Sequence, residues 1–181
     1  AITLAVMSFV SQGDHILAVD CAYAPVHTLD KNVLQRMGVS TTYCSPTVEG
    51  FEAALQPNTK VLYVESPGSL LMQMLDMPAL VAFAKKHHLI VITDNTWGSG
   101  LIYQPLSMGV DVSVVAGTKY VAGHSDLLLG AVVVKDKALA EKVEACHYAL
   151  GFSVSADDAW LAIRGVRTMP LRMRETGENA L

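Results

Sequence analysis

The sequence predicts an α/β fold, a three-layer sandwich in which helices cover both faces of a mainly parallel central sheet. Three observations point there. Helical and strand patterns alternate along almost the whole chain, as they do where strands are joined by helical crossovers. Of the 181 residues 51% are hydrophobic and only 17% charged, which suits strands buried on both faces. Polar residues able to do chemistry fall at or just past the carboxyl ends of the expected strands, where such sheets bind ligands.

The elements follow in order. The chain opens in a helix that ends near the turn signal Gln12-Gly13-Asp14, and His15 to Asp20 reads as a strand. Pro25 starts a helix with Leu29, Val33 and Met37 on one face, stopped by Gly38. Thr41 to Ser45 is a short strand, and Val48 to Leu55 a short helix halted by Pro57-Asn58. Lys60 to Ser66 is a strand followed by the loop Pro67-Gly68-Ser69. Asp76 and Pro78 start a helix that runs to His88. Strands 89–94, 112–117 and 130–134 come next. Two helices follow, one marked by Leu139, Val143, Cys146 and Leu150, the other begun by Asp157-Asp158.

Composition excludes several classes of function. The net charge is −4 with lysines and arginines scattered, which argues against a nucleic-acid partner. The longest clean apolar run, Leu127 to Val134, is far short of the roughly 20 residues a spanning helix needs, so no membrane role is expected. Cys21, Cys44 and Cys146 are odd in number and lie in apolar segments, as reduced thiols of a cytoplasmic protein do.

The run Asp111 to Ser125 carries the strongest chemical signal. Lys119 follows an apolar strand between Thr118 and Tyr120, among small and apolar neighbours that predict a partly buried amine facing a pocket. Asp94 closes the strand 89–94. A carboxylate there can cap the turn through Asn95 and Thr96, or pair with a protonated ring nitrogen. An amine and an acid at adjacent strand ends suit pyridoxal phosphate, which needs a lysine for its aldehyde and an acid for its pyridinium nitrogen. Thr96 and Thr118 stand close by as hydroxyl donors to that cofactor. Tyr23, three residues past a strand end, is either a packing residue or a ring that stacks on a flat heterocycle. Competing motifs fail. Gly117-Thr118-Lys119 has the wrong order for a phosphate-binding P-loop, and no strand leads into Gly-x-Gly-x-x-Gly. The histidines lack the spacing of a metal site, and Ser66 lacks the surroundings of a nucleophile.

Taken together, Gln12-Gly-Asp-His15, Glu65-Ser-Pro67, Asp94-Asn-Thr96, the Asp111–Ser125 run and Arg164-Gly-Val-Arg-Thr168 resemble, over essentially the whole chain, the Cys/Met-metabolism pyridoxal phosphate enzymes. The resemblance implies the large domain of the aspartate aminotransferase type of fold (fold type I). It implies that Lys119 carries the cofactor aldehyde and then acts as base at the substrate Cα. Asp94 would hold the ring nitrogen, Tyr23 would stack on the ring and assist the leaving thiolate, and Thr96 and Thr118 would contact the cofactor. Ser69, Trp97 and Ala116 resemble the β-lyase branch more than the γ-enzymes. That implies β-elimination of L-cystathionine in methionine biosynthesis, with the γ-synthase and γ-lyase reactions of the same family as alternatives. The resemblance also implies a homotetramer built from dimers. It places the phosphate loop before Ala1 and a further domain after the chain. Residues 1–170 then read as the cofactor-binding domain and 171–181 as the start of a connection. An isolated piece of this kind is expected to expose apolar surface and to be inactive by itself.

Overall fold

The computed structural model describes residues 1–181. Six strands form one sheet: β1 (His15–Val19), β2 (Ser40–Cys44), β3 (Thr59–Glu65), β4 (Ile90–Asp94), β5 (Val112–Val115) and β6 (Ala131–Val134). Their spatial order is β2-β1-β3-β4-β5-β6, with every neighbouring pair parallel except β5 and β6. Seven α-helices accompany them: α1 (Ile2–Met7), α2 (Ala24–Leu29), α3 (Val48–Ala54), α4 (Met77–Lys86), α5 (Lys137–Ala149), α6 (Ala156–Val166) and α7 (Met169–Glu178). No helix is long and apolar enough to cross a membrane.

Burial explains the runs of Val, Ile and Leu. Every residue of β1 and β5 is buried, as are most of β3 and β4, because these strands are covered on both faces. The edge strands β2 and β6 are only partly covered. Helix starts follow local chemistry. Thr47, Asp76, Asp136 and Ser155 each accept a backbone N–H of the first turn of α3, α4, α5 and α6.

One expectation changes and one connection is added. The helix after Pro25 is α-helical only to Leu29, then passes through a π turn (Asp30–Leu34) and a 3-10 turn (Gln35–Met37) before Gly38 ends it at φ 78°. The wider turn shifts the phase of the buried stripe. Val26, Asp30 and Leu34 are buried, while Met37 is exposed. The direction of the last strand, which the sequence pattern leaves open, is antiparallel to β5, since residues 116–130 supply no crossover helix, and the sheet is mainly parallel as expected. In place of a helix, the Thr118 hydroxyl donates to the Leu129 carbonyl at 3.1 Å and accepts the Leu129 N–H at 3.0 Å.

The carboxyl-terminal third is less covered. Phe152, Val154, Trp160, Ile163, Val166 and Leu171 are all exposed, so the face carrying α6 and α7 presents apolar surface to solvent.

Candidate active site

Parallel strands aim their carboxyl ends at one edge of the sheet, and the candidate residues gather there. Asp94 is the last residue of β4, in register with Glu65 at the end of β3. Its Oδ1 accepts the Thr96 N–H at 2.9 Å, so one oxygen caps the turn. The other oxygen makes no hydrogen bond within the chain, and the buried carboxylate lines a cleft. Thr96 accepts the Ala116 N–H at 2.9 Å, which ties the turn after β4 to the end of β5 and leaves the hydroxyl proton uncommitted. The Thr118 proton, by contrast, is spent on Leu129.

Lys119 sits on the turn that follows β5. The partly buried amine expected from its neighbours is not what the fold produces: Lys119 is exposed. The turn carries it above the end of the strand rather than into the sheet. Its Nζ lies 5.3 Å from the centroid of the Tyr23 ring, close enough for a cation–π attraction. Tyr23 is the residue before α2 and stands 43% exposed at the edge of the same cleft.

These five residues therefore line one cleft of about 1350 Å³, large enough for a small-molecule ligand. A second cleft, of about 1140 Å³, lies on the other side of Lys119 and Tyr120 and is bordered by Asp126, Leu171 and Arg172.

The donor set matches pyridoxal phosphate. A primary amine, a buried carboxylate with one oxygen free, an aromatic face and an uncommitted hydroxyl share the cleft, which is what an aldehyde-bearing pyridinium ring requires.

Several residues that hold this site were given no such role by the sequence, although Glu65, Ser66 and Gly165 lie in its quoted motifs. Arg172 of α7 donates to the Tyr120 and Gly165 carbonyls at 2.7 and 2.8 Å and to the Thr168 hydroxyl at 3.0 Å, which pins the lysine turn to α6 and α7. A Cβ on Gly165 would collide with the Val121 and Ala122 carbonyls, so the close approach of α6 to that turn requires glycine. Ser66 accepts the Leu75 N–H at 3.1 Å and is buried, a structural role. Burial pushes the Glu65 carboxyl above the usual range, a shift opposed by the Ser69 hydroxyl and the Tyr23 N–H that it accepts.

The chain is similar to known proteins in sequence and in fold. The chain is 56% identical over 180 residues to a cystathionine beta-lyase of Bordetella avium, covering 99% of this chain and 45% of that one. It is 37% identical over 184 residues to cystathionine beta-lyase of Escherichia coli K12, covering 100% of this chain and 46% of that one. Among solved structures, cystathionine gamma-lyase from Lactobacillus plantarum complexed with L-serine superposes with a TM-score of 0.89 at 35% identity, over 92% of this chain and 44% of that one. The chain thus spans about half the length of the curated relatives it matches. The family described as Cys/Met metabolism PLP-dependent enzyme matches residues 1–181 from end to end, and the chain belongs to it.

Proposed function

We propose that the full-length protein is a carbon–sulfur lyase that cleaves L-cystathionine by β-elimination, taking up water and releasing homocysteine, pyruvate and ammonia. The observation that supports this most is the convergence of Lys119, Asp94 and Tyr23 on one cleft at the carboxyl ends of the strands. The 56% identity to a protein named cystathionine beta-lyase favours the β reaction over the γ reaction.

When bound, pyridoxal phosphate supplies an electron sink for bonds broken at the substrate Cα. The chain's own residues do the rest. Lys119 would hold the cofactor aldehyde through Nζ, and the same amine, when free, would serve as the base for the substrate Cα proton, a role commonly worth about 10²–10⁴-fold. The free oxygen of Asp94 would pair with the ring nitrogen and keep it protonated. Tyr23 would stack on the ring and assist the departing thiolate by giving it a proton. Thr96 donates its hydroxyl to the cofactor, and Thr118 contributes by clipping the lysine turn to Leu129. In this reading residues 1–170 are the large domain, 171–181 lead toward a further one, and the cytoplasmic full-length protein assembles as a tetramer of paired dimers.

Product analysis tests the proposal. Full-length protein given L-cystathionine and pyridoxal phosphate is expected to yield pyruvate and homocysteine. If 2-oxobutyrate and cysteine accumulate instead, the γ reaction replaces it. Release of neither keto acid would remove the lyase reading.

A further inference from the structure

Glu65 is only 4% exposed, yet no step above uses it. A carboxylate at this depth is costly unless donors meet it. Two do: Oε2 accepts the backbone N–H of Tyr23 at 2.8 Å, and Oε1 accepts the Ser69 hydroxyl at 2.7 Å. Three segments thereby meet at one side chain, namely the end of β3, the turn before α2 and the loop 67–69. The two outer segments also touch directly. Ser69 N–H donates to the Cys21 carbonyl at 2.9 Å, and a Cβ on Gly68 would stand 2.5 Å from the Cys21 sulfur. Tyr23 is 43% exposed, so its own packing covers it only in part and a backbone tether adds to its placement.

We propose that Glu65, with Ser69 as its partner, is the positioning residue for the Tyr23 ring. The buried carboxylate fixes the Tyr23 backbone, and so the height and tilt of the ring over the cleft facing Lys119. Both Glu65 oxygens are taken by protein donors, so it acts through Tyr23 and not on a ligand. This rests on the reading of Tyr23 as the ring that stacks on the cofactor. Glutamine at this position can still accept the Tyr23 N–H while its amide donates to a rotated Ser69 hydroxyl, whereas alanine removes both bonds.

The experiment is a double-mutant cycle in the full-length protein, read as the affinity of the apoenzyme for pyridoxal phosphate in an absorbance titration. E65A is expected to weaken binding about tenfold, and E65Q to recover most of that loss. Adding E65A to Y23A should cost less than about twofold, since the ring it positions is already gone. S69A should weaken binding a few-fold, about threefold, in the wild-type background and not in Y23A, which carries the test should E65A not fold. Losses that multiply in the double variants, or unchanged affinity in E65A, would overturn the inference while leaving the cofactor reading intact. A wild-type protein that fails to bind the cofactor overturns both.

Discussion

The two ends of the same strands are built on opposite rules. At the amino end His15 is fully buried and its polar capacity is used up. Nδ1 pairs with the Thr59 hydroxyl at 2.8 Å, while Nε2 meets the Thr42 hydroxyl at 2.9 Å and the Gln56 amide at 3.2 Å. At the carboxyl end Glu65 is closed in the same way, but Asp94 keeps one oxygen free, Thr96 keeps its proton, and the Lys119 amine meets only the face of a ring. A closed polar network adds to stability and fixes register. An open one leaves binding capacity in place, and it is the open end that lines the cleft. Polar residues at strand ends are thus not one class, and the number of hydrogen bonds left unmade separates them.

Substitutions at the two ends should fail in different ways. Lys119→Ala in the full-length protein is expected to abolish the visible absorbance band that survives dialysis. It should also cut turnover by at least about 10²–10⁴-fold, with the melting temperature of the apoprotein nearly unchanged. Asp94→Asn keeps an oxygen for the Thr96 N–H and loses only the charge. A drop in kcat of about 10²-fold follows, measured under saturating cofactor. Equal activity in this variant would mean that the free oxygen has no catalytic partner.

His15→Ala should do the reverse. It removes the imidazole that Thr42, Thr59 and Gln56 share and opens a cavity, at a cost of about 2–4 kcal/mol, or roughly 5–15 °C in melting temperature. Cofactor affinity, read by absorbance titration, should stay within about twofold of wild type. A large loss of cofactor affinity at unchanged melting temperature would erase the contrast between the ends. Gly165→Ala lies between the extremes. The new methyl pushes on the carbonyls behind the lysine turn, so turnover and stability should fall together, the latter by about 1–3 kcal/mol in a denaturant titration.

The strands were legible because buried parallel strands leave a plain signature, short Val/Ile/Leu runs closed by polar residues, and β4 ends at Asp94 as the pattern predicts. Helix starts were legible through Asp76-Met77-Pro78 and Asp157-Asp158, whose chemistry is local. The direction of β6 depends on a connection rather than on its own residues. The sign was there, since residues 116–130 have no helical period. A π turn adds no letter to the sequence, so the Leu29, Val33, Met37 stripe holds for its first two residues, which are half-buried, and fails at Met37. Tyr23, Asp94, Thr96, Thr118 and Lys119 could be placed at strand ends by spacing alone, and they do share one cleft. Lys119's exposure could not be read, because it depends on the path of the turn in space. Glu65 and Arg172 were invisible as site residues for a related reason: each acts through a backbone group of a distant segment, and backbone groups carry no sequence mark.

The smallest expected effect concerns pH and again separates the ends. Burial lowers the His15 pKa below its ordinary value of about 6.5, so the fold favours the neutral ring. The unfolded chain takes up that proton first as pH falls. The contribution of His15 to stability is therefore complete above about pH 6.5 and declines below it, by at most about 1.4 kcal/mol per pH unit, until the folded value is reached. Glu65 works in the opposite sense. Its raised carboxyl lets the folded state bind a proton before the unfolded state does, which favours the fold as the solution becomes more acid. Whole-protein pH profiles mix the two, so the comparison needs His15→Asn, which cannot titrate. Between pH 7.5 and 5.5 the urea midpoint of the wild type should fall further than that of His15→Asn. Parallel declines would show that the imidazole is protonated as readily in the fold as outside it, and that the amino end of the sheet is more open than its hydrogen bonds suggest.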